Sequence, residues 1–224
     1  MTTWAVVPVK PLRYGKSRLA HILSPEERAA LTTSMLNRTL ETLNNVPGIF
    51  RSLVISRDPA ALKIARNYGA YTYGEGDKQD LNVALTRAAH LAAAQEATGI
   101  LVIPADLPLI TVEDIEMMLP EVVPGLSGAQ LRHFGNGGLP RRRPRAIAIC
   151  GDRNGNGTNA LYVTPPLGFE FRYGDGSFQR HLQEAERLGM HSRIVHAPGL
   201  KFDLDTEEDW KAYLAVMGVG EPVS

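Results

Sequence analysis

The order of its short apolar runs decides what this chain folds into. Trp4 to Val9, Ser52 to Ser56, Tyr71 to Tyr73 and Ile100 to Ile103 have strand length and are rich in β-branched and aromatic residues. Three of the four are almost apolar throughout, which suits strands covered on both faces. Capped helical stretches separate them. Ser24-Pro25-Glu26-Glu27 supplies an N-cap, a first-turn proline and the glutamate of a capping box, and predicts a helix to Asn44. Asp58-Pro59 opens a second helix that Gly69 ends, a third runs from Asn82 to Ala97, and Thr111-Val112-Glu113-Asp114 marks a fourth. Strands alternating with helices of this length predict right-handed crossovers and an α/β fold with a mainly parallel sheet, helices on both faces.

The second half is less regular. Ala146 to Cys150 and Ala160 to Thr164 read as strands around a glycine-rich loop, Ser177 to Leu188 as an amphipathic helix, Ser192 to Val195 as a strand, and Thr206 as the cap of a final helix. Residues 120 to 145 carry four prolines, five glycines and five arginines and no apolar period. We expect one domain over residues 1–224 with a flexible Arg/Gly/Pro-rich insertion at about 120–145. Its arginines raise an RNA-binding reading, but only Phe134 interleaves them, and a solvated insertion is the simpler reading.

Charge and cysteine content narrow the function. The 24 basic residues balance the 24 acidic ones, so no global field favours nucleic acid or an anionic membrane. Cys150 is the single cysteine, which excludes an internal disulfide and a cysteine-based zinc site. The first apolar run is too short for a signal peptide, and no stretch approaches the roughly 18 apolar residues of a membrane span. These features lead us to expect a soluble, cytoplasmic protein.

Chemistry in an open parallel sheet collects at the carboxyl ends of the strands. Four motifs sit there. After the first strand comes Pro8 to Leu19, a glycine-bearing loop in which Lys10, Lys16 and Arg18 suit a triphosphate, a plain solvated loop being the competing reading. It is not a P-loop, because Lys10 occupies the place of the required first glycine. Pro104 to Leu109 holds Asp106 between prolines, where it suits a hard cation better than a helix cap, since Thr111 caps the next helix. Lys201 to Thr206 alternates in strand fashion and sets Asp203 and Asp205 on one side, so that with Asp106 they form a candidate magnesium site, a helix cap at Asp205, in competition with Thr206, being the other reading. Finally, the loop Cys150 to Leu161, with Thr158 and Asn159, and the turn Arg172 to Phe178 suit an anion: the first through backbone amides and hydroxyls, the second through a helix N-terminus at Ser177, which also reads as an ordinary N-cap. The first of these opens like a calcium-binding loop, but Val163 stands where a bidentate glutamate is required. The six histidines show no ligand spacing and read as surface or internally satisfied side chains, and no serine has a nucleophile-elbow context.

Taken together, VPVKPL with GKSRL, DLNVAL, PADLPL, RNGNGTNAL, FRYGDGSF and FDLDT resemble the 2-phospho-L-lactate/phosphoenolpyruvate guanylyltransferase family from Trp4 to about Tyr213. The resemblance implies a Rossmann-like, glycosyltransferase-A type nucleotidyltransferase fold. It implies transfer of GMP from GTP to a small phosphorylated carboxylic acid, with Mg2+, in coenzyme F-420 biosynthesis. By the same resemblance Lys10, Lys16 and Arg18 hold the GTP phosphates and Asn82 lies near the nucleotide. Lys10, Lys16 and Asp106 then carry catalysis, Asp106, Asp203 and Asp205 bind magnesium, and Thr158, Gly174 and Ser177 hold the acceptor's phosphate. The downstream transferase that receives the unstable product becomes a candidate partner, and no nucleic acid or membrane is expected. The arginine-rich segment departs from the family's usual short connection. The competing readings are another nucleotidyltransferase of the same fold, such as a molybdopterin guanylyltransferase or a sugar-phosphate cytidylyltransferase, or a non-catalytic nucleotide- or RNA-binding protein.

Overall fold

A computed structural model describes residues 2–74, 80–120 and 145–218. The described residues form a seven-stranded sheet in the order β3-β2-β1-β4-β6-β5-β7. The strands are β1 (Thr3–Pro8), β2 (Ile49–Ser56), β3 (Tyr71–Gly74), β4 (Gly99–Val102), β5 (Ala146–Gly151), β6 (Thr158–Thr164) and β7 (His191–Ile194). Only β6 runs against its neighbours, pairing antiparallel with β4 and β5. The α/β, mainly parallel mixed sheet expected from the sequence is present.

The helices are α1 (Pro25–Asn44), α2 (Pro59–Asn67), α3 (Leu81–Ala94), α4 (Val112–Glu116), α5 (Ser177–Arg187), α6 (Pro198–Lys201) and α7 (Glu207–Met217). From β1 the chain winds outward through β2 and β3, then α3 returns it to the other side of β1 as β4. Right-handed crossovers in opposite directions put their helices on opposite faces. Accordingly, Leu36, Leu40, Ala61 and Ala65 of α1 and α2 pack with Ala5 and Val7 on one face, while Leu85 and Ala88 of α3 and Ala185 of α5 pack with Trp4 and Val6 on the other. A smaller cluster of Leu19, Met35 and Leu204, with Trp210 and Tyr213, seats α7 against α1.

Local signals set the helix ends. The Ser24 hydroxyl accepts from the Glu27 amide while the Glu27 carboxylate accepts from the Ser24 amide, and Asp58 and Asp80 cap α2 and α3. Two expectations fail. Residues 201 to 206 are not strand-like, because Lys201 ends α6 and Phe202 to Asp205 form an irregular connection to α7. Ser177 is not the cap of α5, since Gly176 takes that place with a left-handed φ of 67° and Ser177 is the first helical residue. Most of the expected insertion at 120–145 lies outside the described residues. Among the described residues no helix is long and apolar enough to cross a membrane.

Candidate functional site

The winding reverses between β1 and β4, and at such a switch point the loops leaving the two strands diverge and open a crevice. A cleft of about 410 Å³ lies there, with Val9, Lys10, Gly15, Lys16, Asp106 and Asp205 in its lining. The loop after β1 owes its shape to close packing. A Cβ on Gly15 would stand 2.7 Å from Thr32 Oγ1 of α1, so only glycine lets the loop lie so near. Lys16 follows with φ 52°, a left-handed conformation that costs a side-chain-bearing residue on the order of 1–3 kcal/mol. That turn sends the lysine inward. Its side chain is 5 % exposed, and its ammonium stands 3.0 Å from Asp106 Oδ2 and 3.9 Å from Asp205 Oδ1. Arg18 reaches the other oxygen of Asp205 at 3.1 Å from the rim, and Lys10 is exposed on the cleft lining.

The two acidic loops are joined through the main chain, the Leu204 amide donating to the Asp106 carbonyl at 3.1 Å. Burial first, and the nearby Asp106 charge second, push the Asp203 carboxyl above its ordinary range, while an Asn159 hydrogen bond and Lys16 pull the other way. Carboxylates crowded in this way, and answered by the buried Lys16 ammonium and, at the rim, by Arg18 on Asp205, can accept a further positive charge. Among the described residues no group of three His, Cys, Asp or Glu side chains is arranged to hold a metal by itself. A hard cation that takes one or two carboxylates and fills its remaining positions with water and phosphate oxygens fits this oxygen-only set.

The connection carrying Asp203 and Asp205 is held by groups that the sequence did not single out. Asp114, in the capping box of α4, accepts from the Gly199 amide at 3.2 Å, and a Cβ on Gly199 would collide with that carboxylate. Asp209 accepts from the amides of Asp205 (2.9 Å) and Thr206 (2.7 Å) and pairs with Arg153 of the β5–β6 loop. The only sequence signal was the second member of each capping box, Thr111 with Asp114 and Thr206 with Asp209.

Because β6 is antiparallel, its first residue, Thr158, lies at the edge where β1 and β4 end. The loop before it is tied to itself and to α5. Asp152 accepts from the amides of Asn156 (3.0 Å) and Gly157 (2.8 Å), Asn156 Nδ2 donates to Asp175 at 2.8 Å, and the Phe178 amide donates to the Asn156 carbonyl at 3.1 Å. Thr158 is thereby set beside the opening of α5, with Ser177 buried on its first turn. Gly174, with φ 124°, supplies the left-handed backbone of the turn, and its carbonyl accepts from the Ser177 amide at 3.1 Å. Next in β6, Asn159 donates to the Leu200 carbonyl at 2.9 Å, which joins this anion-suited corner to the acidic loop. Asn82 is placed differently from Lys16. Its carboxamide accepts from the Tyr173 amide (2.6 Å) and donates to the Tyr173 carbonyl (3.2 Å), so it braces the Arg172 to Phe178 turn.

Residues 3–123 and 141–221 match the family described as guanylyl transferase CofC like. The chain belongs to that family. Within the CofC-like guanylyl transferases it is 41% identical over 222 residues to the phosphoenolpyruvate guanylyltransferase of Rubrobacter xylanophilus, covering 98% of this chain and 97% of the relative. It is 36% identical over 212 residues to the enzyme of the same name from Sphaerobacter thermophilus, covering 93% and 91%. A nucleotidyl transferase structure from Methanothermobacter thermautotroptrophicus superposes with a TM-score of 0.60 at 13% identity, covering 95% of each chain, and shares the fold. The CofC-like chain is thus an enzyme, a nucleotidyltransferase of the guanylyltransferase kind, on the nucleotide-diphospho-sugar transferase fold.

Proposed function

We propose that the protein transfers GMP from GTP to phosphoenolpyruvate or 2-phospho-L-lactate with release of pyrophosphate, a step of coenzyme F-420 biosynthesis. One observation carries the reading: a lysine-and-carboxylate cleft at the β1/β4 switch point shares an edge of the sheet with a neutral, hydroxyl-bearing corner at a helix N-terminus. The first suits a metal-complexed triphosphate, the second a small phosphate ester. The names of the relatives from Rubrobacter and Sphaerobacter support the acceptor.

In this reading Lys10, Lys16 and Arg18 bind the triphosphate as fixed positive charges, and Lys16 exchanges part of its pairing with Asp106 and Asp205 for phosphate oxygens. Asp106, Asp203 and Asp205 are the carboxylates from which one or two would hold magnesium, phosphate oxygens and water completing its positions, and the ion would supply charge that neutralises the phosphates. Thr158, Gly174 and Ser177 hold the acceptor's phosphate in line with the α-phosphorus of GTP. A phosphate monoester, with a second pKa of about 6, is already a dianion near neutral pH and needs no general base. The protein's task is to assemble anions, which is positioning and electrostatics. Pyrophosphate release should therefore require GTP, a phosphorylated three-carbon acid and Mg2+ together. Equal turnover with CTP, or turnover unaffected by EDTA, would overturn the reading.

A further inference from the structure

His181 lies one helical turn after Ser177 on α5, so the two side chains share a face. The imidazole is fully buried, edge-on to the Tyr173 ring at 4.8 Å and 5.8 Å from Phe169. Its Nε2 accepts from the backbone amide of Arg172 at 3.0 Å. An amide N–H can only donate, so Nε2 carries no proton, and the proton of the neutral ring is on Nδ1. Nδ1 stands 3.0 Å from Thr158 Oγ1. The histidine is therefore the donor of that bond and the threonine the acceptor. With the opposite tautomer, Thr158 would spend its own proton on the ring and the Arg172 amide would face another N–H. Burial, and then the charge of Arg172, hold the His181 pKa down at about 4 against the opposing pull of Glu184, so the ring stays neutral.

Resting on the acceptor reading above, we infer that His181 is a positioning residue: by donating Nδ1–H to Thr158 it commits the Thr158 hydroxyl to give its proton to the acceptor's phosphate. A hydroxyl has one proton and two acceptor lone pairs. Once one lone pair is filled from below, the proton is available to an anion at the opening of α5.

Steady-state kinetics of T158A, H181F, H181N and the T158A/H181F double variant test this. T158A should raise KM for the phosphorylated acid about ten-fold or more and H181F by a smaller factor, since Thr158 then keeps its proton and loses only the donor that orients it, and both should leave KM for GTP unchanged. The double variant should be no worse than T158A, because His181 acts only through the Thr158 hydroxyl that T158A already removes. H181N, whose side-chain amide replaces the Nδ1–H donor, should stay within about three-fold of the parent. Multiplying effects in the double variant, or H181N as impaired as H181F, would make His181 a packing residue only and overturn the proposal. T158A with an unchanged acid KM would bring down the acceptor reading itself, and this proposal with it. Independently of any variant, nitrogen-labelled histidine in the wild-type protein should show the His181 proton on Nδ1. A proton on Nε2 would refute the assignment.

Discussion

At the scale of single residues, the site is a balance of charge around Lys16. Its ammonium is buried while the side chains of Asp106 and Asp205 are about two-fifths exposed, so the carboxylates can turn toward an incoming cation without unpacking the core. We predict that D106N and D205N lower turnover by about 100-fold or more, in the range typical for loss of a preorganised electrostatic group. Melting temperatures should move by only a few degrees, because asparagine retains an acceptor for Lys16 and partly exposed pairs are worth about 1 kcal/mol or less. Melting curves and turnover measured on the same samples check this. Full activity in both variants would sink the metal assignment. For the acceptor corner, S177A should raise KM for the acid, not for GTP, by about ten-fold, as expected for one hydrogen bond to a charged group of roughly 1.5 to 3 kcal/mol.

At the scale of elements, α5 docks through a neutral histidine, and that makes the fold sensitive to acid. The His181 pKa sits near 4 in the fold against an ordinary 6.5. As pH falls, the unfolded chain takes up this proton first, so the contribution is whole above about 6.5 and is lost on the way down to 4. Between pH 7 and pH 5 the loss should be about 2 kcal/mol. Asp203 acts in the opposite sense, its raised pKa letting the folded state take up a proton first on acidification. Urea midpoints at the two pH values should therefore fall in the wild type and fall less in H181N. A wild-type midpoint that does not move would show His181 to be less buried than described.

The same elements show what a sequence discloses. Ser24 with Glu27, Asp58 and the apolar run of β1 act locally, so their helices and strand were legible to within about two residues. That the Pro8 to Leu19 and Pro104 to Leu109 loops leave the carboxyl ends of strands was legible too, since each follows an apolar run. Residues 198 to 206 were not. The alternation from Lys201 to Thr206 imitates a strand, but the course of the connection is set by contacts distant in sequence: Asp114 on Gly199, Asp106 on Leu204 and Arg153 on Asp209. The bracing role of Asn82 was hidden for the same reason, its partner Tyr173 being 91 residues away.

For the whole molecule, β7 ties together the two ends of the arginine-rich segment. Arg193 donates to the carbonyls of Met117, Met118 and Leu119 where the chain leaves α4, and the His191 amide donates to Arg145 where it enters β5. Replacing Gly125 to Pro144 by a short glycine-serine linker should thus preserve the fold and most activity, since loop length changes stability only slightly. Loss of GTP turnover would show that the segment covers the site. The central claim concerns what the two halves of the sheet bring together, and one competition reaction tests it: GTP, Mg2+ and equal concentrations of phosphoenolpyruvate and 2-phospho-L-lactate, with products separated by mass. Both acids offer the same phosphate and carboxylate, so only apolar shape separates them, and such a difference is worth about 1 to 3 kcal/mol. We predict GMP adducts of both acids with the phosphoenolpyruvate adduct in excess; GTP consumed to GMP or GDP with neither adduct formed would contradict the account.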